Sequence, residues 1–147
     1  MRNIVFDWKR TLYDPEEKRL IGGALELLKW LASRKVPMVL IGKGDIDMYD
    51  EVDRLGVRQY FSHVMFREGS KDADLFAPFI DTSDSTQTIF IGDRVRSELA
   101  AGNALGATTI WVQQGRFASE LPRSASEKPT HTVASLAEAY TLLVNLQ

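Results

Sequence analysis

Residues 89–93 read Ile-Phe-Ile-Gly-Asp, and Glu98 follows five residues after the aspartate. Ile89-Phe90-Ile91 is a continuous apolar run with no polar alternation. Such a run fits a strand buried on both faces, as strands of a parallel sheet are. Leu99, Ala100, Asn103 and Ala104 come next at helical spacing, and Gly106 closes them. Thr109 to Val112 then forms another apolar run. Strand, helix, strand in this order predicts a βαβ unit.

The same rhythm extends in both directions. Ile4-Val5-Phe6, Val36 to Ile41 and His63 to Phe66 are short apolar runs rich in β-branched or aromatic residues. Between them lie helical stripes: Ala24, Leu25, Leu27, Leu28 and Leu31; then Met48, Val52 and Leu55; then Leu75, Phe76, Phe79 and Ile80. Leu136, Ala139, Tyr140, Leu142 and Leu143 predict a terminal helix. Strands alternating with helices predict a three-layer α/β domain: a doubly wound, Rossmann-like parallel sheet of five strands. Two segments break the rhythm. Residues 8–20 carry a turn signal at Asp14-Pro15 and predict a small flap hairpin. Residues 114–131 are polar, with two prolines, and predict a surface loop that includes His131.

Composition narrows the function classes. The 147 residues fit one domain spanning residues 1–147. Eighteen Lys and Arg against 20 Asp and Glu give a formal charge of −2, which argues against nucleic acid or an acidic membrane as partner. Cysteine is absent, so thiol nucleophiles and thiolate metal sites are excluded. No apolar run reaches the roughly 18 residues of a membrane span, and residues 1–3 lead straight into an apolar strand rather than a secretory signal. The expectation is a cytoplasmic globular protein.

Ligands of open parallel sheets bind at the carboxyl ends of the strands. Asp7 ends the first run there, Gly42-Lys43-Gly44-Asp45 the second and Gly92-Asp93 the fourth, while Lys71 follows the third. Converging carboxylates favour a hard divalent cation such as Mg²⁺. A lysine and helix N-termini favour an anion beside it. Metal, lysine and a free carboxylate outline a phosphoryl-transfer site. Each residue also has a simpler reading. Asp7 and Asp93 could be caps, Lys71 and Lys43 solvated lysines, and Glu98, Arg94 and Arg96 surface residues. Thr11 is expected to hold the turn after the first strand. Trp8 either walls the site or packs under the flap.

These residues resemble the haloacid dehalogenase (HAD) superfamily of phosphohydrolases over nearly the whole chain. Asp7-Trp8-Lys9-Arg10-Thr11-Leu12 looks like its first motif, Asp-x-Asp-Gly-Thr-Leu. Lys71 looks like its third-motif lysine, and Gly92-Asp93 with Glu98 like its fourth motif. The resemblance implies Asp7 as nucleophile, Lys71 as charge neutraliser and Thr11, Gly42 and Lys43 on the substrate side. It implies Mg²⁺ held by Asp7, Asp93 and the Lys9 carbonyl. Two departures stand out. Lys9 replaces the acid that protonates the leaving group, and Gly42 replaces the Ser or Thr of the second motif. Residues 8–41 and 43–70 leave no room for a cap domain. An open site suits a phosphorylated small molecule or macromolecule. The oligomeric state is left open. A non-catalytic binding relative is the alternative, and Lys9 could also pair with the acids and displace the cation. A phosphate-receiver domain fits the size, but its acceptor aspartate would fall at Met65-Phe66-Arg67.

Overall fold

The computed structural model describes residues 1–147. Its central sheet contains β1 (Asn3–Phe6), β4 (Met38–Lys43), β5 (His63–Arg67), β6 (Thr88–Gly92), β7 (Thr108–Val112) and β8 (His131–Val133). A flap hairpin after β1 supplies the two-residue strands β2 (Tyr13–Asp14) and β3 (Arg19–Leu20). The sheet order is β5-β4-β1-β6-β7-β8, and every pairing in it is parallel. The helices are α1 (Ala24–Ser33), α2 (Ile46–Arg54), α3 (Ala73–Phe76), α4 (Glu98–Ala104) and α5 (Leu136–Asn145).

The strands are apolar throughout because both faces are covered. Ile4, Phe6, Leu40, Ile89, Ile91, Ile110 and Val112 pack with α1, α2 and α5. Their chain neighbours Val5, Val39, Ile41, Phe90 and Trp111 point the other way, into a smaller core with α3 and α4. This two-residue alternation of direction is the strand's own geometry.

The sheet has six strands rather than the expected five. Residues 114–131 are mostly loop, but His131 begins β8 at the sheet edge. Only Val133 of that strand is buried, too little apolar character to mark it in the sequence. The helix predicted around Leu75–Ile80 is also shorter, with α3 giving way to a tight turn at Ala77–Phe79. Pro78 lacks the N–H that would continue the helical ladder.

The chain carries only the flap and α1 between β1 and β4, and only α2 and a short turn between β4 and β5. No cap domain is inserted. The sheet order reverses direction between β1 and β6, which lie side by side with Phe6 opposite Ile91. The residues that follow those strands, Asp7 and Asp93, are therefore neighbours at the carboxyl edge.

Trp8 turns away from that edge and is fully buried under the flap, stacked on Tyr13 at 5.0 Å and nearly parallel to it. It also constrains β4. A Cβ on Gly42 would lie 2.8 Å from Trp8 Cβ and 2.9 Å from Phe66 Cε1. Glycine is thus the residue that fits between the two rings. Gly42→Ser is expected to destabilise the fold by about 1–3 kcal/mol through overpacking, and urea unfolding measures it. An unchanged midpoint would show that the rings yield freely.

Candidate active site

Asp7 leaves β1 with its backbone N–H still bonded to the Ile91 carbonyl at 3.0 Å, which fixes its position against β6. Its carboxylate is buried. Lys71 Nζ donates to Asp7 Oδ1 at 2.6 Å and lies 3.3 Å from Glu98 Oε2. The Lys71 side chain is 2 % exposed, so this ammonium is enclosed by the acids rather than solvated. Thr11 Oγ1 lies 3.1 Å from Asp7 Oδ2 and 3.4 Å from Asp93 Oδ1, joining the two aspartates. The Asp93 carbonyl accepts from Trp111 Nε1 at 2.9 Å, which anchors the start of the loop after β6. Glu98 Oε1 accepts from the Arg94 N–H at 3.2 Å, and a side chain at Gly92 would run into that carboxylate.

Three buried carboxylates therefore face one buried ammonium. Burial, followed by the charges of Asp7 and Glu98, pushes Asp93 from its ordinary 3.8 up to about 9. Burial and then Asp7 also raise Glu98, against the opposing pull of Lys71. Burial disfavours the Lys71 charge, but Asp7 and Glu98 outweigh it and hold that ammonium above its ordinary range.

The donors fit a hard cation. One oxygen each from Asp7, Asp93 and Glu98 lies within 4.8 Å of the others. Asp93 Oδ2 is buried with no hydrogen-bond partner. The Lys9 carbonyl accepts no bond from the protein, although its neighbour Trp8 accepts three. An all-oxygen set of this kind suits Mg²⁺.

Above the acids opens a cavity of ≈ 240 Å³, whose lining adds Lys9, Arg10, Lys43, Arg94, Ser97, Arg116 and Phe117 to Asp7, Lys71, Asp93 and Glu98. Lys9 is half-buried and makes no ion pair. The acids it could have paired with are engaged by Lys71 and Thr11. Lys43 is exposed on the rim. Two of the residues expected on the substrate side lie off the cavity lining. Gly42 is sealed beneath Trp8 and Phe66 and does not line the cavity. Thr11 is fully buried under the carboxylates and is likewise absent from the lining, because its hydroxyl is committed to the aspartates.

Arg94 is half-buried rather than solvent-facing. It is bonded to Glu120 at 2.8 Å and packed 4.2 Å from the Phe117 ring centre. Glu98, 3 % exposed, is not a surface residue. Sequence reasoning missed Arg10, Arg116 and Phe117. The last two sit in a loop whose approach to the site is a tertiary fact. Arg10 left a signal, because it stands where the resembled motif has glycine. Its φ of 64° is the left-handed conformation that glycine adopts freely.

A family model described as HAD-hydrolase-like matches residues 62–139. The chain belongs to that family. No curated protein matches it by sequence. Among solved structures, an uncharacterized protein from Listeria monocytogenes serotype 4b is similar over 99% of this chain and 98% of its own, at 19% identity and TM-score 0.74. The L-2-haloacid dehalogenase RSc1362 is similar over 98% and 99%, at 13% identity and TM-score 0.77. YfnB from Bacillus subtilis, bound to magnesium, is similar over 86% of this chain and 57% of its own, at 20% identity and TM-score 0.69. At these identities the likeness is one of fold. The HAD-like scaffold accounts for the strand order that pairs Asp7 with Asp93. No helix is long and apolar enough to cross a membrane.

The raised Asp93 has a measurable consequence. In the fold it keeps its proton up to about pH 9, whereas its ordinary value is 3.8. Its contribution to stability is therefore complete below pH 3.8 and is lost as pH rises toward 9. Asparagine does not titrate. In EDTA, the melting temperature of Asp93→Asn is expected to exceed that of the parent protein by several degrees at pH 8. The margin should shrink toward pH 5. A margin that is flat or widens toward low pH contradicts the raised value.

Proposed function

We propose that this protein is a Mg²⁺-dependent phosphohydrolase with an impaired proton-transfer step, acting on phosphate esters or acyl phosphates. One observation carries the reading: the Asp7 and Asp93 carboxylates meet at Thr11, and Asp93 Oδ2 is left buried and unpartnered.

Asp7, Asp93 and the Lys9 carbonyl would hold the cation, which when bound offsets the negative charge of the phosphoryl oxygens. An Asp7 oxygen attacks phosphorus, the bond from phosphorus to the leaving oxygen breaks, and an aspartyl phosphate forms. Lys71 balances the charge on Asp7 and keeps the carboxylate aimed, while Glu98 fixes Lys71. Water then attacks the same phosphorus, the bond to Asp7 breaks, and inorganic phosphate leaves with a proton lost to solvent.

The weak point is Lys9. A lysine ammonium donates but cannot accept, so it cannot take the proton from the attacking water. Loss of general acid–base catalysis typically costs about 10²–10⁴-fold. Phenolate and carboxylate leaving groups need no proton, and a lysine ammonium is in general a far weaker acid than a carboxylic acid, so turnover should favour aryl and acyl phosphates over alkyl ones.

A second reading is a binding protein that uses the same cavity without turnover. It is favoured by one observation: Lys9 and Gly42 both depart from the catalytic pattern, and Gly42 cannot regain its hydroxyl because of Trp8 and Phe66. Assay with p-nitrophenyl phosphate and Mg²⁺ separates the two. Hydrolysis is expected, Asp7→Asn should abolish it, and Lys9→Asp should raise kcat by about 10²-fold or more. Absence of hydrolysis in both the parent protein and Lys9→Asp would leave the binding reading standing.

A further inference from the structure

We infer that the ligand carries two anionic groups, and that Arg10, Arg94 and Arg116 around Phe117 receive the second. The inference rests on the phosphoryl reading of the acidic floor and names the substrate class of that site: a phosphate ester or acyl phosphate whose organic part bears another phosphate or carboxylate.

The three guanidinium carbons lie 5.9, 4.2 and 5.5 Å from the Phe117 ring centre. They come from three separate places in the fold: the turn after β1, the loop after β6 and the loop after β7. Like charges gathered on one ring repel unless counter-charge is near. Glu16 lies 3.0 Å from Arg10, and Glu120 lies 2.8 Å from Arg94. Arg116 is exposed and has no acidic partner. Of the three, Arg116 alone has no acidic partner, and it lines the cavity.

The remaining donors suit an oxyanion. Arg10 gives only Nη2 to Glu16, and Arg94 gives Nε and Nη2 to Glu120. Each guanidinium has five N–H donors in a planar fork that matches phosphate or carboxylate. Packing against Phe117 and bonding to Glu120 restrict Arg94 before any ligand arrives, which lowers the ordering cost of binding. The backbone of Arg10 points the same way. A left-handed φ of 64° on a non-glycine residue costs on the order of 1–2 kcal/mol, and here it sets a cation on the cavity wall. The acidic floor and the cluster line the same cavity, so one ligand can touch both without any chain movement.

The test is calorimetric titration at fixed free Mg²⁺ with non-hydrolysable probes. These are methylphosphonate and alkane diphosphonates with one, two or three carbons between the phosphorus atoms. The best diphosphonate is expected to bind about tenfold or more tightly than methylphosphonate. Arg116→Ala should reduce that ratio to about threefold or less, and Arg116→Lys should retain part of it. Because Arg116 is exposed and unpaired, both variants are expected to melt at the parent temperature, which checks their folding. Diphosphonates no tighter than methylphosphonate, no binding of any probe, or an intact ratio in Arg116→Ala each overturn the inference. Turnover of p-nitrophenyl phosphate without the diphosphonate preference sinks the two-anion ligand alone. The preference without turnover sinks only the enzymatic reading.

Discussion

At the carboxyl edge of the sheet one buried ammonium stands against three buried carboxylates. Lys71 reaches two of them, Asp7 and Glu98. Asp93 is left with a buried oxygen that no protein group satisfies. Removing charges from water is expensive, and incomplete pairing recovers only part of the cost. A fold selected for stability alone would place apolar residues here. The imbalance leaves one defined point, Asp93 Oδ2, that a proton or a cation could satisfy. The sheet exists to hold that point: β1 and β6 are neighbours, and the acids emerge from them in register.

The departures around this centre are coupled. Trp8 is committed to the core beneath the flap, where it stacks on Tyr13 and meets the edge of Phe66. That packing leaves no space for a side chain on Gly42. The missing hydroxyl of the second motif is therefore a consequence of core packing as much as a change in the site. On the next two residues the alteration runs outward. Lys9 and Arg10 replace an acid and a glycine of the resembled motif, and both line the cavity. The buried acidic floor is kept while the rim has become cationic.

Much of this was legible in the sequence. Continuous apolar runs gave the parallel sheet, and Asp7, Lys71 and Asp93 fell at strand ends or helix starts where ligands bind. The sixth strand was not legible because only Val133 of its three residues is buried. Glu98 stayed ambiguous because spacing places it on α4 but does not say that α4 turns it toward Lys71. The roof was invisible for a deeper reason. Arg116 and Phe117 lie more than 100 residues from Arg10, and nothing local requires a polar loop to return over the first turn. Gln114 makes that return physical, donating to the Arg10 and Thr11 carbonyls at 3.3 and 3.4 Å.

How the site selects ligands follows from what can move. The flap is tied down. Tyr13 donates to Glu51 at 2.6 Å, Glu51 holds Arg54, and Arg54 donates to the Lys18 carbonyl at 2.5 Å. Burial and then Glu51 push the Tyr13 phenol up to about 12, while Arg54 and then Tyr13 hold Glu51 down to about 2. Both shifts favour the phenol as donor and the carboxylate as acceptor across the neutral range. These bonds anchor the hairpin at its root through Tyr13 and near its tip through Lys18. With no cap domain inserted and the flap bonded to α2, the cavity is walled by side chains already in place. It presents a buried acidic floor and a cationic rim. Under the phosphoryl reading proposed above, such a site rewards ligands whose anions match that spacing and leaves the phosphorus open to water that a lysine ammonium at position 9 cannot deprotonate.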